Sequence, residues 1–176
     1  MKKRGFQVVS KYKDQNINLP KRQTKLAAGY DLEAATDFVV PSIWKLKLIN
    51  FFKKLVNKSG SDVKAAQEVL KPVLVPTGLK VYLQPNEALL LVSRSSGPLK
   101  RGLVMPNSVG VIDADYYNNP KNEGEIFVQM SNFFPIDRKI KKGERICQGI
   151  FINYLTTDDD IADGKNRTGG FGSSGK

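Results

Sequence analysis

The chain has 176 residues, enough for one domain with a sizeable core, and it contains no apolar run near the roughly 20 residues of a membrane helix. With no histidine and one cysteine, Cys147, it excludes a Ser-His-Asp triad, a His-ligated metal and internal disulfides. The formal net charge of +11 indicates either that the protein binds a polyanion or that the charge serves only to keep the protein soluble. The basic N-terminus, MKKRGFQVVSKYKD, lacks an apolar signal-peptide region, so we expect a cytoplasmic protein with no membrane partner.

Most of the chain predicts short β-strands separated by turn residues. Runs rich in β-branched and aromatic residues alternate with Pro, Gly and Asn, a pattern typical of an all-β sandwich or barrel. We therefore expect a single β domain over residues 1–155. The predicted strands are Gly5–Ser10, Phe38–Val40, Val73–Val75, Leu79–Leu83, Ala88–Ser93, Val109–Asp113, Ile126–Ser131 and Ile146–Tyr154.

Residues 42–71 interrupt the β pattern and predict a short helical insert. Lysines separate apolar residues that recur near helical spacing, namely Trp44, Leu48, Phe51, Phe52 and Leu55. A helical hairpin packed against the β core, with its lysines in water, is one interpretation. A surface that binds a membrane or a regulatory protein partner is the other.

Residues 156–176 are polar and glycine-rich, and predict a flexible C-terminal arm because they offer little apolar surface to bury. The closing GFGSSGK fits the G-x-x-x-x-G-K pattern of a P-loop. A P-loop needs a strand before it, a helix after it and a Ser or Thr after the lysine, and none of these is present in the sequence. The arm predicts either a lid over a nucleotide bound elsewhere, with Phe171 stacked on the base, or a disordered tail.

Five blocks in a fixed order resemble the deoxyuridine triphosphatase (dUTPase) family. They are AGYDLEAA (28–35), RSSG (94–97), NSVGVIDADY (107–116), GERICQ (143–148) and the closing 167–175. The resemblance covers the chain except the insert and the first dozen residues. It implies a jelly-roll-like homotrimer in which the C-terminal arm of one subunit closes a neighbour's site. It also implies hydrolysis of dUTP to dUMP and pyrophosphate with Mg²⁺.

The same resemblance implies a role for each site residue. Asp113 matches the carboxylate that activates the attacking water, and Asp31 matches the acid that reaches Mg²⁺ through water, although a turn-forming Asp is the alternative there. The nucleoside-binding positions are Asn107, Gly110, Val111, Tyr116 and Phe171. The phosphate-binding positions are Arg94, Ser95, Ser96, Gln148, Arg167, Ser173 and Ser174.

Within this set, Tyr116 matches the ring that packs under the sugar and excludes a 2′-hydroxyl, unless it is an ordinary strand aromatic. We expect Arg145 to pair with a surface carboxylate and leave it outside the site. Three departures from the family pattern stand out, and one of them is the helical insert, which lengthens the connection between the first two blocks. Residues 117–123 predict a longer hairpin tip, and Arg167 lies four residues before Phe171, one fewer than the usual family spacing.

Two other functions compete with this interpretation. A dCTP deaminase of the same fold needs a titrating glutamate where this chain has Gln129, and a glutamine cannot shuttle protons. A non-catalytic protein that binds nucleic acid through its positive charge would show a clustered basic motif, whereas the lysines here are scattered. We therefore expect dUTP as the substrate and no specific nucleic-acid partner.

Overall fold

The computed structural model describes residues 2–44 and 71–161, together with Phe52 and Val56. These residues form eleven strands connected by turns. The strands are β1 (Gly5–Val8), β2 (Tyr30–Glu33), β3 (Phe38–Val40), β4 (Val73–Pro76), β5 (Leu79–Tyr82), β6 (Glu87–Ser93), β7 (Leu103–Val104), β8 (Val109–Asp113), β9 (Phe127–Asn132), β10 (Arg138–Ile140) and β11 (Arg145–Asn153).

All the strand pairs are antiparallel, and the largest sheet has the order β2-β11-β6-β8. A three-stranded sheet has the order β4-β9-β7, and two further pairs join β1 to β5 and β3 to β10. This architecture confirms the all-β prediction. It also leaves β2 and β8 as the two outer strands of the four-stranded sheet.

The core lies between the sheets and follows the period of two that strands impose on their side chains. In β9, Val128 and Met130 are buried while Phe127 and Gln129 are only partly buried. The central strand β6 contributes Leu89 and Leu91, which are almost fully buried because they point to the face of the sheet that packs in the core. The core therefore fixes the register of the strands that carry the polar residues described below.

The structure reproduces all eight predicted strands with ends shifted by at most two residues, and adds β2, β7 and β10. The predicted helical insert lies outside the described residues except for its ends and two isolated positions, and its binding of a partner stays a prediction. Phe52 and Val56 are helical and exposed. Trp44 is half exposed, and its indole N–H donates to the Phe133 carbonyl at 2.8 Å. Among the described residues, no helix has the length and apolar character to cross a membrane.

Candidate functional site

A buried carboxylate, Asp31, organises a cluster of polar side chains at one edge of the large sheet. Only 4% of Asp31 is exposed, and its Oδ1 lies 3.2 Å from Arg94 Nε while its Oδ2 lies 3.2 Å from Arg145 Nη1. Gln148 is opposite Asp31 in the β2–β11 register and donates from Nε2 to Oδ1 at 3.2 Å. Gly29 leaves the room for this contact, because a Cβ there would lie 3.1 Å from Gln148 Cβ.

The cluster carries an excess of positive charge, since two guanidinium groups face one carboxylate. Each guanidinium has five N–H donors, so Asp31 leaves several of them for another acceptor. Arg94 also lines a cavity of about 250 Å³. Further residues of the cavity wall are Ser96, Arg101, Met105, Met130, Glu144 and Arg145. Ser95, between Arg94 and Ser96, is exposed. The guanidinium groups and the serine hydroxyls among these side chains suit an anion with several oxygens.

The outer strand β8 presents a second set of predicted residues. Val109, Val111 and Asp113 are exposed along one face of the strand, as its alternation requires. Gly110 packs against Leu91, and a Cβ at Gly110 would lie 3.4 Å from the side-chain amide of Asn107. Asn107 therefore lies beside β8, within van der Waals reach of a Cβ placed at Gly110.

Tyr116 ends a 3₁₀ turn, Ala114–Tyr116, that follows directly after β8. The residue is 5% exposed, and its phenol oxygen accepts a hydrogen bond from Asn122 Nδ2 at 2.7 Å. Its hydroxyl donates to the Glu125 carbonyl at 3.3 Å. The ring is thus fixed at its far end by the hairpin tip that follows it.

A single chain does not bring Asp113 to the Asp31 cluster. The row of paired residues that starts at Asp31 crosses β11 at Gln148 and β6 at Val92, and reaches β8 at Val109. Asp113 lies at the other end of β8. Standard strand geometry gives a separation of about 14 Å across the sheet and about 13 Å along it. The predicted site is therefore divided between two places on one chain.

A model of the dUTPase family matches residues 57–175, which is more than half of the chain. A deoxyuridine 5′-triphosphate nucleotidohydrolase of Lactococcus lactis is 47% identical over 176 residues, 99% of each chain. The chain belongs to the dUTPase family. A relative of the same name from Gamma-proteobacterium EBAC31A08 is 33% identical over 90% of this chain and 96% of its own.

Solved dUTPase structures share the fold. The crystal structure of dUTPase from Streptococcus mutans superposes with a TM-score of 0.69 at 43% identity, covering 88% of this chain and 98% of that one. A dUTPase from phage phi11 of S. aureus has a TM-score of 0.62 at 16% identity, over 92% of this chain and 97% of its own, and supports the fold alone. These similarities confirm the jelly-roll-like dUTPase β-fold.

The structure of this dUTPase-family chain corrects the placement of Arg145. A lone arginine before a strand suggested a surface ion pair, but Arg145 contacts the buried Asp31 inside the cluster. The cause is a register shift in β11 between Arg145 and Cys147. A bulge reverses the side-chain alternation, so Arg145 and Gln148 reach the same carboxylate although they are three residues apart. Strand alternation alone, read from the sequence, places them on opposite faces.

Several predicted site residues fall outside the part of the chain that the structure describes. They are Phe171 for the base and Arg167, Ser173 and Ser174 for the phosphates. Their roles and the boundary of the arm stay predictions. The remaining predicted residues form the two groups above, with Arg94, Ser95, Ser96, Gln148 and Asp31 in one and Asn107, Gly110, Val111, Asp113 and Tyr116 in the other.

Within the described residues, magnesium would need ligands in addition to those of the Asp31 cluster. No group of three or more His, Cys, Asp or Glu able to hold a metal occurs in residues 2–44 and 71–161. Both carboxylate oxygens of Asp31 already face Arg94, Arg145 and Gln148. Mg²⁺ prefers oxygen ligands and retains water molecules, so Asp31 would hold such an ion through a water molecule, and a bound anion would supply the remaining oxygen ligands.

Proposed function

We propose that this dUTPase-family chain hydrolyses dUTP to dUMP and pyrophosphate as a homotrimer whose sites are shared between subunits. The observation that carries the proposal is the division of the site. One chain holds a cationic cluster suited to a triphosphate and, too far away to act with it, an exposed carboxylate on an outer strand. A neighbouring subunit that presents β8 to the cluster would complete the site. Val109 and Val111 give that strand an exposed apolar face suited to such a contact.

In this proposal the Asp31 cluster binds the triphosphate. Arg94 and Gln148 direct N–H groups at phosphate oxygens, and Ser95 and Ser96 add hydroxyls. Asp31 holds the guanidinium groups in place and prevents their mutual repulsion from opening the cluster. Magnesium, when bound to the phosphates, supplies neutralisation of their negative charge.

Asp113 of the adjoining subunit acts as the general base. Its carboxylate accepts a proton from a water molecule as the water oxygen bonds to the α-phosphorus. The bond from that phosphorus to the α,β-bridging oxygen breaks, and pyrophosphate leaves with the bond's electron pair. A general base contributes about 10²–10⁴-fold, so positioning and charge neutralisation supply most of the acceleration.

Nucleoside selection belongs to the same hairpin. Asn107 and the backbone at Gly110 and Val111 read the uracil edge, and Tyr116 packs under the sugar. The arm then covers the nucleotide, with Phe171 on the base and the phosphate-binding residues Arg167, Ser173 and Ser174. We place this activity in the cytoplasm, where it limits uracil incorporation into DNA and supplies dUMP for dTMP synthesis.

The test is Asp113→Asn, which keeps the shape of the side chain and removes its basicity. We expect kcat for dUTP with Mg²⁺ to fall by about 10²–10⁴-fold with little change in KM. The matched control is Asp14→Asn, at an exposed aspartate, which should retain wild-type turnover. Near-wild-type pyrophosphate release by Asp113→Asn would refute the assigned base. DNA retention at physiological salt without dUTP turnover by the wild type would favour the nucleic-acid-binding alternative.

A further inference from the structure

The hairpin tip at residues 117–124, between the Ala114–Tyr116 turn and β9, is a closed and internally bonded structure. Asn119 N donates to the Tyr116 carbonyl at 3.2 Å, and Glu123 N donates to the Asn119 carbonyl at 2.7 Å. Asn118 N donates to the Glu123 carbonyl at 3.2 Å. Such a network gives the tip a defined conformation that can hold a neighbouring residue in place.

Asn122 joins this tip to the ring of Tyr116. Its Nδ2 donates to the phenol oxygen at 2.7 Å, while its Oδ1 accepts from Gly124 N at 3.1 Å. Its own carbonyl accepts from Glu125 N at 3.0 Å. One side chain therefore bridges the tip backbone and the far end of the tyrosine, and fixes the tilt of the ring at the point farthest from its Cα.

Gly124 brings the two ends of the tip into direct contact. Its φ is +76°, a left-handed conformation that favours glycine, and a Cβ there would lie 2.3 Å from the Tyr116 carbonyl oxygen. The backbone that returns from the tip thus packs against the backbone of Tyr116 itself. The tip holds both the main chain and the hydroxyl of this residue.

The tip is in turn attached to the body of the domain. Lys80 on β5 reaches it with Nζ at 2.6 Å from Asn118 Oδ1 and 3.2 Å from Glu123 Oε2. The same ammonium lies 5.2 Å from the ring centre of Tyr117. Ser10 N donates to Glu123 Oε2 at 3.2 Å. A displacement of the tip would break these contacts, so the position of Asn122 is set by the core sheets.

We propose that Asn122 is a positioning residue for sugar selection, because it prevents the Tyr116 ring from retreating when a nucleotide carries a 2′-hydroxyl. This inference rests on the proposed function, in which that ring packs under the sugar. A steric filter excludes a larger ligand only if its wall cannot move. The Asn122 bond supplies part of that resistance at the far end of the ring, beside the bond from the Tyr116 hydroxyl to the Glu125 carbonyl.

The experiment measures kcat/KM for dUTP and for UTP, with Mg²⁺, in the full-length chain. Asn122→Ala should raise the UTP/dUTP ratio of kcat/KM by about 2–12-fold, one net hydrogen bond of about 0.5–1.5 kcal/mol converted at 1.4 kcal/mol per factor of ten. Asn122→Asp keeps the shape of the side chain and the acceptor for Gly124 N but removes the donor to the phenol oxygen, so it should raise the ratio in the same direction as Asn122→Ala. Lys121→Ala, at an exposed side chain of the same tip, is the matched control and should leave the ratio unchanged.

Tyr116→Phe removes the phenol oxygen, and with it both the Asn122 bond and the bond to the Glu125 carbonyl, and it makes the test independent of how well Asn122→Ala folds. It should raise the UTP/dUTP ratio of kcat/KM by at least the same factor, and Asn122→Ala added to it should change that ratio no further, because the phenol oxygen that Asn122 holds is already absent. An unchanged ratio in both single variants, or an equal loss for dUTP and UTP, would overturn the inference. A wild-type chain that does not hydrolyse dUTP would instead refute the proposed function, and this outcome is visible before any variant is made.

Discussion

Cys147 lies in the hydrophobic core directly beside the residues of the Asp31 cluster. It is fully buried between Ile146 and Gln148 on β11. Burial, together with the negative charge of Asp31, raises the pKa of the thiol to about 12, and the positive charge of Arg94 opposes this only in part. Because the thiolate is the reactive form, the native protein holds this group in an inert state.

We expect Cys147 in the native chain to resist a thiol-specific disulfide reagent at pH 8, and one thiol per chain to react after denaturation. Raising the pH to 10 should accelerate labelling of the unfolded chain, whose thiol has an ordinary pKa near 8.5, while the native thiol stays protonated below about 12. The absorbance of the released thiolate measures the labelling rate of the native chain and that of the unfolded chain. Cys147→Ala should give no signal in either state. Stoichiometric labelling of the folded chain within minutes at pH 8 would contradict the burial.

At the scale of the element, β6 positions both groups of site residues, because it lies between the strands β11 and β8 in the large sheet. It pairs with β11, which carries Gln148, and with β8, which carries Asp113. Leu89, in the middle of β6, is 0% exposed and faces the core. The packing of Leu89 therefore helps to maintain the register of β6 with β11 and with β8.

Leu89→Ala should lower the free energy of unfolding by about 2–5 kcal/mol, since it removes a buried side chain and leaves a cavity. Leu155→Ala, at a leucine that is 97% exposed just after β11, is the matched control and should change it by less than about 0.5 kcal/mol. Urea unfolding followed by tryptophan fluorescence or circular dichroism measures both. Equal effects of the two substitutions would show that β6 does not form the core described here.

The strands that the sequence did not predict are those whose stability comes from their neighbours. β2, with the sequence YDLE, contains two carboxylates, and β10, with RKI, contains two cations, so neither has the composition of a strand. β7 has two residues and forms only by pairing with β9. In contrast, β8 and β3 were predicted to the residue because their β-branched runs end at clear turn residues.

In the candidate site, too, features set by neighbouring residues in the sequence could be predicted, and features set by the folded chain could not. The identities of Asp31, Arg94, Gln148 and Asp113 could be predicted because each belongs to a short block of characteristic sequence. The contact of Arg145 with Asp31 depends on the bulge in β11, and the anchoring of Tyr116 by Asn122 depends on how the longer tip folds back. Both are properties of chain geometry that no single block of sequence contains.

At the scale of the whole molecule, the divided site predicts that two inactive variants restore each other. Arg94→Ala damages the phosphate cluster, and Asp113→Asn removes the base, so each variant alone should have little activity. If one subunit provides Arg94 and another provides Asp113, a co-refolded mixture contains sites in which both residues are wild type. In a cyclic assembly each site takes Arg94 from one subunit and Asp113 from the next. In a random mixture of equal amounts, half of the subunits carry Arg94 and the other half carry Asp113. About a quarter of the sites therefore contain both residues.

Recovery of dUTP turnover to about a quarter of the wild-type rate is therefore the expected result of co-refolding. Mixing Asp113→Asn with the Asp113→Asn/Arg94→Ala double variant is the control, and it should recover nothing because no subunit carries the base. A site built within one chain cannot be repaired by mixing, since every chain in the first mixture lacks one of the two residues. Activity that stays at the level of the separate variants, in mixtures shown by mass measurement to have exchanged subunits, would mean that Asp113 reaches the Asp31 cluster of its own chain and that the proposed sharing is wrong.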